Sequence, residues 1–309
     1  MSTKKRNIFT KILIWRYKYI SERQFILVLS ILVGFLAGLG TVLLKYLTLF
    51  IQSVLEGGFI KNYYYSLYFI FPIIGVWLVY LIKKNFIKKE IGHGISTTLY
   101  SISKRSGIIE RYKMFASLIV APITVGFGGS VGLQGPAVST GAALGSNVAR
   151  LFHMNAKTRM LLIGCATAGA MSSMFKAPVA AIVFAIEIFS LDLVFASLVP
   201  LLLASIAAVI TSYFFRGTDV LFSFELLDAW RVKDIVFYVL LGLATGIASV
   251  YFSKMYFLIT RFFSRFSNAY IKIGIAAIAI GFMLYLFPPL YGEGYGLINN
   301  LLNGNTEVA

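Results

Sequence analysis

The sequence predicts an all-α polytopic membrane protein built of long helices and broken ones, and three observations predict it. Of the 309 residues, 59% are hydrophobic and only 13% charged, and the mean hydropathy is +0.83, far from the composition of an ordinary soluble domain. Six apolar runs, near residues 24–52, 65–82, 112–125, 194–214, 235–258 and 271–289, are expected to cross hydrocarbon roughly 30 Å thick. Four more, near 94–103, 136–152, 160–174 and 177–189, are short or interrupted and suit half-helices that meet at mid-membrane.

In chain order, residues 1–22 set Phe9, Ile12, Leu13, Ile14, Trp15 and Tyr17 among Lys11, Arg16 and Lys18. That is the pattern of an amphipathic helix lying on the cytoplasmic membrane face. The segment is too charged for a cleaved signal peptide, and no small-residue cleavage site follows an apolar core. The first span carries Gly34 and Gly38, a small-residue spacing that lets a second helix approach closely. The formal charge of +16 gathers at segment ends, in Lys4, Lys5 and Arg6, in Lys83 and Lys84, and in Lys88 and Lys89. By the positive-inside rule both clusters are cytoplasmic, with one crossing out and one back between them. Nucleic acid is therefore not an expected partner, because no soluble module carries an exposed basic face.

The middle of the chain holds the strongest interruption, Gly126-Phe127-Gly128-Gly129-Ser130-Val131-Gly132-Leu133-Gln134-Gly135-Pro136. Glycines break the apolar pattern there and a new helix is expected to open at Pro136, the behaviour of an ion or substrate site inside a bilayer. His153, with Arg150 and Lys157, reads as a polar helix connection. Cys165 is the single cysteine and lies in the apolar run Leu162-Ile163-Gly164-Cys165-Ala166, so it reads as a small buried hydrophobe. No set of residues resembles metal ligands or a nucleophile with its base. Neither an enzyme nor a resident cofactor is expected.

The chain also resembles itself. Long apolar helices at 24–52 and 65–82 lead to Gly92-His93-Gly94-Ile95, and long apolar helices at 235–258 and 271–289 lead to Gly292-Glu293-Gly294-Tyr295-Gly296. This reads as a repeat whose second copy stops at Ala309. The expected organisation is an amphipathic helix at 1–22, a first membrane repeat at 23–217 and the start of a second at 218–309.

Four motifs follow in order: Gly92-His93-Gly94-Ile95, Gly132-Leu133-Gln134-Gly135-Pro136, Lys176-Ala177-Pro178 with Phe184-Ala185-Ile186-Glu187, and Gly292-Glu293-Gly294-Tyr295. Together they resemble the CLC family of chloride channels and proton-coupled chloride antiporters, and the resemblance runs from about residue 20 onward. It implies a CLC-like inverted repeat of long tilted and broken helices with the second repeat incomplete. It also implies a homodimer in the bacterial cytoplasmic membrane, surrounded by the lipid bilayer, with chloride or a related small anion as the transported ligand. The physical reading of the residues points to the same site. Helix N-termini carry unsatisfied N–H groups and about half a positive charge, so several of them converging in the membrane favour an anion. Gly94 and Gly135 let backbone N–H groups approach an ion, and Pro136 suits a first helical turn.

The departures from the family pattern carry the mechanism. Where the family often has a serine in Gly-x-Gly-Ile-Pro, this chain has His93, and Ser96 replaces the proline. His93 either lines the anion path or caps the following helix, and Ser96 either offers a second hydroxyl or is an N-cap. In the family's Gly-x-Glu-Gly-Pro motif the glutamate is the gate; Gln134 holds that position here, and its other reading is a side chain that only packs or caps a helix. An amide has no charge to compete with chloride and no titration to couple. Leu133 replaces a basic residue often found before the gate, and Ile188 stands where the antiporters carry an internal proton glutamate. Glu187 is an intramembrane carboxylate, read either as a proton carrier or as a structural partner at a helix end or interface. Lys176 either raises the anion concentration at the inner mouth or snorkels to the interface. The resemblance further implies a Gly-x-Phe-x-Pro loop, an inner tyrosine and half of a dimer interface, none of which follows Ala309. The expected function is passive anion permeation. Proton-coupled antiport and a non-conducting partner-binding protein are the rivals.

Overall fold

The computed structural model describes residues 18–56, 64–92, 94–190, 195–218 and 231–303. Among these the regular structure is entirely helical. The elements are α1 (Glu22–Glu56), α2 (Tyr64–Ile82), α3 (Ile95–Arg105), α4 (Lys113–Gly126), α5 (Gln134–Leu151), α6 (Ala156–Phe175), α7 (Pro178–Phe189), α8 (Phe195–Arg216), α9 (Ile235–Ser264), α10 (Ala269–Leu286) and α11 (Tyr295–Leu302). A π turn at Lys83–Ile87 ends α2, and short 3₁₀ turns precede α9 and follow α10.

Five of these helices are long and apolar enough to cross a membrane: α1, α2, α8, α9 and α10. The run at 112–125, expected to cross, forms the 14-residue α4, which rises only about 21 Å and stops at the glycine break. By contrast α1, at 35 residues, rises about 52 Å, well beyond the hydrocarbon thickness, so it must tilt or protrude. The expected opening of a helix at Pro136 comes two residues earlier, at Gln134, and leaves Pro136 in the first turn, where its missing N–H costs nothing. The amphipathic segment expected at 1–22 lies outside the described residues except for its last few positions.

The centre of the bundle is α6, which packs on α1, α5, α7 and α8. Its inner stretch Gly164-Cys165-Ala166-Thr167-Ala168-Gly169-Ala170 is small and fully buried, and small side chains let neighbouring backbones come close. A methyl group on Gly141 of α5 would stand 2.8 Å from the Ala166 carbonyl oxygen, and one on Gly169 would stand 3.2 Å from Gly34 Cα. Gly34 and Gly38 do the same for α1 against Ala204 and Ala208 of α8. Hydroxyls stitch these seams to backbone carbonyls: Thr41 Oγ1 donates to Ala170 O at 3.3 Å, Ser172 Oγ to Ser205 O at 2.9 Å and Ser212 Oγ to Ser173 O at 3.0 Å. In a bilayer, where water cannot compete, such bonds each contribute about 1 kcal/mol to holding two helices in register. Cys165 lies fully buried in this core, as its apolar neighbours predict.

The self-resemblance of the sequence has a structural counterpart. The pair α1 and α2 leads to Gly92 and Gly94, and the pair α9 and α10 leads to Gly292 and Gly294. All four glycines have positive φ, between 55° and 83°, a backbone region other residues enter at a cost. Gly94 is the N-cap of α3 and Gly294 the N-cap of α11. The two units differ in their company. Whereas α1 is sandwiched among α4, α5, α6 and α8, α9 has no buried residue.

Candidate functional site

The glycine break forms a bed on which the turn before α11 is seated. Gly128 has φ 93°, and a methyl group there would strike the ring of Tyr291 at 2.5 Å. The Tyr291 hydroxyl donates to the Gly126 carbonyl at 2.8 Å. A methyl group on Gly292 would crowd Gln52 of α1, standing 3.0 Å from its Nε2. These contacts hold Tyr291 and Gly292 against the end of α4, the glycine break and α1.

Two helix N-termini then meet. A methyl group on Gly94, the N-cap of α3, would stand 3.1 Å from the carbonyl oxygen of Gly135, in the first turn of α5. Only glycine allows that approach at a φ of 55°. On its own Cα, Gly135 faces open space, with nothing within 4 Å of an added methyl group. The two glycines expected to let N–H groups approach an ion thus stand at neighbouring helix starts. Ile95 opens α3 and packs against the core around Val138 and Ala142, which anchors this N-terminus to α5. Gly92 and Ser96 are exposed, and His93 lies outside the described residues.

Gln134 is half-buried and folds its carboxamide back over Gly132, leaving no room for a side chain there. Its Nε2 donates to the hydroxyl of Tyr295 on α11. Leu133 is wholly buried in the core, so what it presents to the site is its backbone N–H. No side chain of its own caps α5. Instead the Leu133 N–H donates to Glu293 Oε1 at 3.3 Å.

Beside these groups lies a cavity of about 280 Å³, lined among others by Lys45, Thr48, Gln52, Arg216, Glu293 and Tyr295. Lys45 is 5% exposed, and its ammonium donates to the Met174 carbonyl at 3.1 Å. An ammonium at the last turn of α6 satisfies a carbonyl that no helical N–H reaches. Lys45 and Arg216 are the cations that act on the Glu293 carboxylate. The cavity thus holds two positive charges, one negative charge and two phenols.

The remaining motif does not join this cluster. Lys176 caps the end of α6 with φ 54°, donates to Gly217 O at 2.6 Å and lies over the Tyr213 ring at 4.6 Å. It is at the same end of the bundle as Lys45, on which its charge acts, and does not line the cavity. Glu187 is exposed on α7, while the adjacent Ile188 packs against the core of Val138 and Ile163. Three of the four motifs are therefore brought together, the last of them bringing Glu293, to which the sequence assigns no role, and Lys45 and Arg216 join them from outside the motifs. Lys45 did carry a signal: it is the one charged residue in the apolar run at 24–52, a rare placement that marks function by default.

Known proteins agree with this architecture. Residues 74–309 match the voltage gated chloride channel family. A putative chloride channel protein ClcB-like of Ralstonia nicotianae is 25% identical over 221 residues, covering 68% of this chain and 50% of the relative. The H(+)/Cl(-) exchange transporter ClcA of Vibrio cholerae is 29% identical over 190 residues, covering 58% of this chain and 40% of the relative. The crystal structure of a CLC-type fluoride/proton antiporter superposes on 89% of this chain and 69% of its own with a TM-score of 0.75 at 23% identity. At that identity the superposition speaks for the fold alone. The chain spans half or less of the length of those two curated relatives. The glycine-broken helices that meet at Gly94 and Gly135 fall within the matched residues, and the chain belongs to the voltage gated chloride channel family.

Proposed function

We propose that the intact protein passes chloride or a related small anion across the membrane passively, without moving protons. The observation that carries this reading is the meeting of the α3 and α5 N-termini at Gly94 and Gly135, with the neutral amide of Gln134 beside them. Backbone N–H groups and the positive ends of two helices replace part of an anion's hydration shell. Lys45 and Arg216 raise the local anion concentration in the adjoining cavity. The anion path in this reading runs past Gly92, His93, Gly94, Ile95 and Ser96 on one side and Gly132, Leu133, Gln134, Gly135 and Pro136 on the other.

Relatives' names speak of both channels and H(+)/Cl(-) exchangers. Two residues favour the uncoupled reading: the amide of Gln134 does not titrate near neutral pH, and the aliphatic Ile188 relays no proton. Residues 23–217 and 218–309 form the two repeat units of this reading, in a homodimer of the cell membrane. The test is chloride flux from liposomes that hold the purified protein under a chloride gradient, with internal pH recorded at the same time. Chloride efflux with no proton movement is expected. Proton uptake driven by the chloride gradient alone would overturn the passive reading, and absence of efflux would favour a non-conducting, partner-binding protein.

A further inference from the structure

A carboxylate does reach the N-terminus of α5, and it comes from the other end of the chain. Glu293 Oε1 accepts the N–H of Leu133 at 3.3 Å, one residue before Gln134. This N–H is the N-cap donor of a helix that has no side-chain cap of its own. It belongs to the set of donors that an anion at this helix end would use. We propose that Glu293 is the gate of this protein: its carboxylate competes with the permeating anion for the N-terminus of α5, in place of the charge that Gln134 lacks. The inference rests on the reading of that N-terminus as the anion site.

Four features of the surroundings fit a gate better than a simple helix cap. Glu293 is half-buried at the wall of the cavity, so its side chain has room to swing away. It is carried on a turn between two glycines of positive φ, Gly292 at 69° and Gly294 at 74°, not inside a helix. Lys45 on α1 and Arg216 on α8 face the same cavity and stabilise negative charge there, whether it is carried by the carboxylate or by a mobile anion. Finally, Tyr295, two residues on, accepts from the Gln134 amide, so the gate turn and position 134 are tied to each other. The titratable and charged groups that face Glu293 are thus Lys45, Arg216 and Tyr295, together with Tyr291 on its own turn and, behind Lys45, Lys176.

A competing carboxylate and a structural cap make different predictions for Glu293→Gln. The amide keeps an oxygen that accepts from the Leu133 N–H, so a structural role survives the change, whereas competition by charge does not. Two measurements on the full chain decide it: chloride flux from liposomes against pH, and chloride binding to the detergent-solubilised protein by titration calorimetry. In the native protein, flux is expected to fall by up to about tenfold per pH unit once the carboxylate ionises, because the open fraction is the protonated one. Glu293→Gln is expected to be fast and flat across the same range and to bind chloride more tightly at neutral pH. Native-like pH dependence together with native-like chloride affinity in Glu293→Gln would overturn the gate. Tighter chloride binding by the variant with no flux from either protein would uphold the competition at α5 and overturn permeation instead. Binding by neither protein would overturn both readings. A Glu293→Ala variant, run in parallel, removes both cap and charge; if it alone gains affinity while Glu293→Gln does not, Glu293 is a cap and not a gate.

Discussion

At the scale of single residues, the site is defined by where negative charge is and where it is absent. Position 134 carries an amide that donates to Tyr295, and position 293 carries the carboxylate that accepts from Leu133. The two side chains therefore lie at the same helix end. If the carboxylate matters more than the chain position that supplies it, moving it from 293 to 134 should preserve gating. The expected outcome for the double variant Glu293→Gln with Gln134→Glu is a pH-dependent chloride flux, falling as the new carboxylate ionises, where Glu293→Gln alone is flat. At neutral pH the double variant should conduct about tenfold less than the single one, the effect of roughly 1.4 kcal/mol of restored competition. Flux that stays flat in the double variant would show that residue 134 does not face the anion. Gln134 was legible from the sequence because its departure falls inside a motif. Glu293 was not: its partner is the N–H of a residue 160 positions away, and nothing local records that contact. The Gly-x-Gly around it marked the repeat and hid the acid between the glycines.

At the scale of helices, the sequence pattern was informative in proportion to apolar length. The ends of α1, α2, α8 and α10 fall within four residues of the apolar runs, because a bilayer demands internal hydrogen bonding of any segment that crosses it. Short α4 shows the limit of that argument: its ends also match the run at 112–125, but 14 residues rise only about 21 Å, less than the hydrocarbon thickness, so apolarity without length does not make a span. What the pattern cannot convey is which helix faces which, because the deciding feature is a missing side chain. The α1–α8 seam illustrates this. A methyl group on Gly34 would collide with the Ala204 backbone, with Cα only 2.6 Å away, whereas one on Gly40 would meet Thr140 Cγ2 at 3.4 Å and Leu144 Cδ1 at 3.8 Å. The first contact is with backbone and cannot yield by a rotamer change; the second is ordinary packing. Gly34→Ala is therefore expected to destabilise the protein by roughly 1–3 kcal/mol, and Gly40→Ala to be neutral or slightly stabilising through helix propensity. Thermal unfolding of both variants in detergent, followed by circular dichroism, checks the contrast; equal midpoints would mean that α1 and α8 do not approach as closely as described.

At the scale of the whole molecule, the bilayer decides both the covering of the surface and the direction of the site. In water, α9 would be untenable, because its 30 residues include none that is buried and an exposed apolar face of that size drives association. Hydrocarbon removes that penalty, since lipid tails are as apolar as the side chains they cover. The same solvent orders the charges. Lys4, Lys5 and Arg6 precede α1, and Lys83, Lys84, Lys88 and Lys89 follow α2, so an outward α1 and a returning α2 leave both clusters on one side. Lys45 lies 23 residues beyond Glu22, a rise of about 34 Å and thus the full hydrocarbon thickness. The cavity with Lys45, Arg216 and Glu293 should accordingly open on the face opposite the basic clusters, and Lys176, whose charge acts on Lys45, should lie at that outer end; the sequence leaves an inner-mouth site and snorkelling to the interface both open. Two variants, each with one added cysteine, test this. Ser53→Cys, exposed two turns beyond Lys45, should react with a membrane-impermeant thiol reagent only from outside, and Lys89→Cys only from inside. The native Cys165 is fully buried and should contribute no background labelling in the folded protein. Labelling of both positions from the same face would refute the out-and-back crossing and, with it, the outward direction of the cavity.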